Sequence, residues 1–166
     1  YEGVANLTEE EGAHEKAFYS ALRPIMETQN VSRKLFFKEK YNDLLHVCKS
    51  VRDGVPLKDL RQAGYLQAGP WSSKYVVASF GSSDVVLVRG GESEDIDFKQ
   101  RPSYYERVFA DLKEIHGIDH PKGKTFYKRV AGRFDNIPIS VCKLFTDTCR
   151  RSCEQEKKKK TNSGVK

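Results

Sequence analysis

Two histidines, His116 and His120, and two cysteines, Cys149 and Cys153, bracket residues 121–148 of this chain. Two imidazoles and two thiolates are the donor set of a tetrahedral structural zinc site. The i, i+4 spacing lets Cys149 and Cys153 share one helix face, whereas His120, between Gly117 and Pro121, reads as a loop residue folding back toward His116. If one ion binds all four, the first and last segments of the C-terminal third must meet. Every ligand position is then filled by a side chain, which leaves no place for an activated water, so the zinc is expected to be structural. A unit of about 50 residues buries only a modest core, and such a clamp would supply much of its stability.

The remaining candidates carry less. His14, His46 and Cys48 are scattered over other segments and read as ordinary residues. Cys142 falls on one helix face with Phe145 and Cys149, so it reads as a buried structural thiol rather than a ligand.

At 166 residues the chain can form one ordinary domain or two small ones. It is 38% hydrophobic and 31% charged, enough for a core under a solvated surface. No run reaches the 18 or so apolar residues of a membrane span, and residues 1–11 are acidic, without the apolar stretch of a signal peptide. The expectation is a soluble protein in a reducing compartment, where cysteines serve metals more than disulfides. A chain that opens at Tyr1 also reads as part of a longer one.

The net charge of +6 is unevenly spread. Glu92, Glu94, Asp95 and Asp97 form an acidic stretch, whereas Lys122, Lys124, Lys128, Arg129 and Arg133 fall between the histidine and cysteine pairs. Arg150, Arg151 and the lysines at 157–160 add a second basic cluster. Such clusters attract polyanions, nucleic acid first among them, and the lysine run matches a nuclear import signal. The alternative is a solvated helix face followed by a disordered tail.

Hydrophobic spacing predicts an α+β chain, mainly α. A helix is expected over 13–29, kinked or ended by Pro24, and a second from near Ser32 to Gly54, with a short one over 57–63. Two β-branched runs, 75–80 and 85–88, flank a Gly81–Asp84 turn and read as a hairpin. Pro102 and Ser103 signal the start of a helix whose apolar face holds Tyr105, Val108, Phe109, Leu112 and Ile115, and Gly117 stops it at His116. Helices over 124–132 and 139–151 complete a helix-turn-helix-like unit. The division expected is a disordered start (1–12), a helical extension with a hairpin (13–97), a zinc module (98–154) and a basic disordered tail (155–166).

The stretch 103–153 resembles the amino-terminal HHCC zinc-binding domain of retroviral and gypsy-type retrotransposon integrases, where a His-x3-His pair precedes a cysteine pair by some thirty residues. Upstream, Lys40, Tyr41, Leu44 and Leu45, then Gly64, Tyr65 and Leu66, then the hairpin resemble the extension before that domain. Host proteins derived from such elements, among them the nucleolar protein four family, look similar. The family pattern ends in CxxC, whereas three residues separate Cys149 from Cys153 here. If Cys153 does not ligate, the module would be a metal-free helical relic held by Phe109, Phe126, Phe134 and Phe145.

The resemblance implies a catalytic core that follows this region in integrases, and none is found in this chain. The function expected is therefore a non-enzymatic, zinc-stabilised module of a nuclear protein that binds DNA or chromatin proteins, with no membrane and no small-molecule substrate. Lys124, Lys128, Arg129, Arg133, Arg150 and Arg151 would contact phosphates. Two alternatives are the assembly part of an active integrase whose core lies outside the chain, and a self-association or protein-interaction module using Trp71, Tyr75 and Phe98.

Overall fold

The computed structural model describes residues 9–28, 30–90, 100–117, 121 and 123–149. It is α+β and mainly helical, with one antiparallel two-stranded hairpin.

Helix α1 (Glu9–Thr28) follows the i, i+4 series His14, Phe18, Leu22 and Met26, whose last three members are buried. It takes in residues 9–12, which apolar spacing alone leaves outside. Pro24 removes one backbone donor but does not end the helix, which continues to Thr28, where the Thr28 hydroxyl donates to the Pro24 carbonyl at 2.8 Å.

The helix expected from Ser32 is instead a 3-10 turn (Val31–Arg33) entered through Asn30 at φ 55°, a left-handed backbone that asparagine tolerates. A turn at Lys34 and a short irregular link follow, and α2 (Lys38–Arg52) opens after extended Phe37. The link lets neighbouring side chains diverge. Leu35 enters one core and Phe36 another, which adjacent positions on a helix, only about 100° apart, would not do.

Helix α2 buries Leu44, Val47 and Cys48. The short helices α3 (Leu57–Gln62) and α4 (Ala68–Lys74) set Leu60 and Ala68 against Val47. Strands β1 (Tyr75–Phe80) and β2 (Ser83–Val88) pair with Tyr75 opposite Val88 and Phe80 opposite Ser83. The turn is therefore Gly81–Ser82, tighter than expected, with Gly81 at φ 59° where a II′ hairpin turn calls for glycine. Asp84 is drawn into the strand by α2, since it pairs with Lys49 at 3.2 Å and accepts from Ser79 at 2.6 Å. These two contacts, the Ser79 hydroxyl first, hold its carboxyl below the usual range.

The chain then returns beneath the hairpin. Val88 donates to the Gln100 carbonyl at 2.8 Å, and Arg101 forms an isolated parallel bridge with Phe134. Helix α5 (Val108–His116) opens later than the Pro102–Ser103 signal because Ser103 is used elsewhere. Its amide donates to Asn136 Oδ1 at 2.7 Å and its hydroxyl to Asp111 at 2.6 Å. Asn136 in turn donates to the carbonyls of Ser103 (2.7 Å) and Lys34 (3.0 Å), so one buried amide joins three distant segments. Burial raises the pKa of Asp111 against the opposing pull of Ser103 and Arg107. Gly117, at φ 56°, ends α5. Helices α6 (Gly123–Arg133) and α7 (Ile139–Thr148) follow.

The cores do not follow chain order. The largest joins Phe18, Leu22 and Met26 of α1 to Phe109, Leu112, Phe126, Val130, Val141 and Phe145 of the three last helices. A second gathers Phe36, Leu44, Cys48, Tyr75, Val77 and Val86 around the hairpin. Between them the Tyr75 hydroxyl donates to Asp135 at 2.6 Å, and burial followed by that bond pushes the phenol well above its ordinary pKa. Asn136→Ala removes three hydrogen bonds, two of them buried, and orphans their partners, so it should lower unfolding free energy by about 2–4 kcal/mol. Urea denaturation with an unchanged m-value measures it, and a loss below about 1 kcal/mol contradicts the assignment.

Candidate metal centre and basic groove

His116 is the last residue of α5, and Cys149 caps the C-terminal end of α7. Both are buried, at 4% and 9% exposure. They border the same residue. The His116 ring stands edge-on to Phe145 at 5.2 Å and to Phe126 at 5.4 Å, while the Cys149 amide donates to the Phe145 carbonyl at 3.1 Å. His116 thus packs on a ring of α7 that precedes Cys149 by four residues, because α5 and α7 both contribute to the aromatic core.

The other two members, His120 and Cys153, lie outside the described residues, as do Arg150 and Arg151. Among the described residues no three His, Cys, Asp or Glu form a group that could hold a metal. An imidazole such as that of His116 and a thiolate such as that of Cys149 are donors that suit zinc.

Sequence reasoning passed over His14. Its Nε2 donates to the same Phe145 carbonyl at 3.0 Å, and its ring contacts Phe145 at 4.5 Å and Phe109 at 5.0 Å. A signal existed, since His14 precedes Phe18 by one helical turn on the buried face of α1. What was invisible was the partner of that face.

The cations divide by exposure. Lys124, Lys128 and Arg129 are exposed on α6, whereas Arg133 is half-buried. Helix α6 contains no carboxylate, and among the described residues none of its four cations lies within 4.0 Å of one. With Glu114 and Ile115 of α5, four α6 residues line an open groove of about 450 Å³. A second cavity of about 340 Å³ lies between the 3-10 turn and the start of α7.

Of the aromatics read as recruiting surface, Tyr75 is buried and Trp71 is half-buried against the second and third cores, while Phe98 lies outside the described residues. The thiols of Cys48 and Cys142 sit in the cores, and burial pushes their pKa values up to about 11 and about 12. They should resist iodoacetamide at pH 8 in the folded protein and label fully in denaturant. Peptide mass mapping reads this directly, and native labelling of Cys142 contradicts its burial.

No described helix is long and apolar enough to cross a membrane. Comparison with protein-family models, with curated proteins and with solved structures finds no match for this chain.

Proposed function

We propose that this chain is a non-catalytic, zinc-stabilised nucleic-acid-binding module of a nuclear protein related to retroelement integrases. The observation that carries the nucleic-acid part is α6: four cations, no carboxylate and no ion pair among the described residues. Lys49, Arg52, Lys74 and Arg107 each have a carboxylate within reach, whereas α6 carries four cations and no carboxylate of its own. Unmatched cations along one helix raise the local potential and draw a polyanion. From Lys124 to Arg133 they span about 13 Å of helix at about 1.5 Å per residue, room for contacts to several phosphates. Arg150 and Arg151 would extend the same footprint. These contacts position the partner without reading its sequence.

Zinc belongs to the same reading. His116, His120, Cys149 and Cys153 would hold it, and when bound it would supply a cross-link between the end of α5 and the end of α7. That link would fix α6, which lies between them, and so the placing of its basic face. His116 packing on Phe145, four residues before Cys149, supports the arrangement.

Two measurements test the reading. Replacing Lys128 and Arg129 together by Ala should weaken binding of duplex DNA at low salt about equally on unrelated sequences, and reduce the salt slope by about 2. Fluorescence anisotropy across a salt series reads both, and an affinity independent of salt sinks the claim. Metal analysis of the purified chain should find one zinc per molecule, and EDTA should lower its thermal midpoint. His116→Ala should lower zinc content and make the midpoint insensitive to EDTA. A metal-free preparation that melts identically with and without chelator rejects the zinc assignment.

A further inference from the structure

The hairpin has two edges, and the described chain uses only one of them. In an antiparallel pair, successive residues turn their amides and carbonyls alternately toward the partner strand and away from it. Val88 of β2 turns away, since its amide donates to the Gln100 carbonyl at 2.8 Å. Tyr75 stands opposite Val88, so Tyr75, Val77 and Ser79 turn away on the side of β1. Tyr75 is occupied there, its amide donating to the Trp71 carbonyl and its carbonyl accepting from Arg89 at 3.4 Å. The amides and carbonyls of Val77 and Ser79 have no partner among the described residues, and Arg52 reaches Ser79 only at its hydroxyl. An open edge pairs readily with another strand, and proteins commonly guard one with a lysine, a proline or a bulge. Strand β1 reads Tyr-Val-Val-Ala-Ser-Phe in unbroken register and has none of these. Its outer face is apolar as well, with Val76 and Ala78 half-buried and Phe80 exposed at 42%. None of the three belongs to a core of the described residues.

We propose that β1 is a dimerisation edge, on which the β1 of a second copy of this chain adds antiparallel to extend the hairpin into a continuous sheet across a twofold axis. The free groups fix the register. Only with Val77 opposite the second copy's Ser79, the axis passing at Ala78, are all of them paired and the occupied groups of Tyr75 left alone. That register suits a copy of the same strand. Ala78 meets Ala78 in a close pair, where a small side chain fits, and Val76 meets Phe80, a β-branched side chain against an aromatic one. Strand β1 holds no charged residue, so no like charges within it face each other across the axis. The inference does not rest on the reading of α6.

The test is sedimentation velocity of the full chain over a concentration series, with single substitutions at Ala78 and Ser79. The unsubstituted chain should pass from monomer toward dimer as concentration rises, since an interface of one strand edge is small and therefore weak. Ser79→Pro removes the outward amide and sets a ring where the second copy's carbonyl must sit, without removing a bond of the β1–β2 ladder. It should abolish the dimer and leave the far-UV circular dichroism unchanged. Ser79→Ala loses the same hydroxyl contacts to Asp84 and Arg52 but keeps the amide, and should dimerise like the unsubstituted chain. Ala78→Lys and Ala78→Glu should each be monomeric alone, because like charges meet at the axis, and should form a heterodimer when mixed. A chain that stays monomeric at every concentration overturns the proposal, as does a dimer that survives Ser79→Pro or is lost in Ser79→Ala. If Ser79→Pro does not fold, the two Ala78 variants decide, and a mixture that stays monomeric overturns the pairing.

Discussion

The packing of four phenylalanines from four helices is the contact on which the rest of this structure depends. Phe145 of α7 lies 5.8 Å from Phe18 of α1, 5.4 Å from Phe109 of α5 and 5.8 Å from Phe126 of α6. All four rings are almost or wholly buried, and tilted aromatic pairs at such distances add to the stabilisation from burial alone. The carbonyl of Phe145 also receives the His14 ring and the Cys149 amide. One residue therefore sets the ends of α5 and α7, the orientation of α6 and the seat of α1.

This changes the meaning of a metal at His116 and Cys149. A small zinc module commonly owes its fold to the ion, because its own core is too small. Here α1 adds Phe18, Leu22 and Met26 to the core beneath the two residues. An ion bound there would tighten a helical assembly that already has an interior, and its chief effect would fall on how firmly α6 is held. Stability and presentation of the basic helix are then separable, the first resting mainly on the aromatic core and the second on the cross-link.

Local patterns were readable where local physics decides. The alternating β-branched runs before and after Gly81 mark the hairpin, and the apolar stripes of α2, α5, α6 and α7 mark their buried faces. Gly117 was legible as a stop, and the burial of Cys142 followed from its place beside Phe145. The departures have one source, which is that distant partners reassigned local signals. Ser103 signals a helix start, but Asn136 and Asp111 claim its amide and hydroxyl. Leu35 and Phe36 look like the opening of a helix until two cores pull them apart. His14 looks ordinary because residues 109 and 145, which it touches, are far along the chain. In the candidate site, the types and spacing of His116 and Cys149 were visible, whereas the lack of an ion pair on the α6 cations among the described residues required knowing where the carboxylates of distant segments lie.

The position of α1 has a consequence for how the molecule comes into being. It is synthesised ahead of the helices it packs on, and the face bearing Phe18, Leu22 and Met26 meets only Val31 and Leu35 of the segment that follows until α5, α6 and α7 have been made. A growing chain thus carries a largely uncovered apolar stripe until the last three helices emerge, a period in which a holding chaperone or a neighbouring nascent chain could cover it. Contacts this distant in sequence also slow folding, because the loop between them must close before they repay its entropy. A helix made before its partners is thus among the last to find its place.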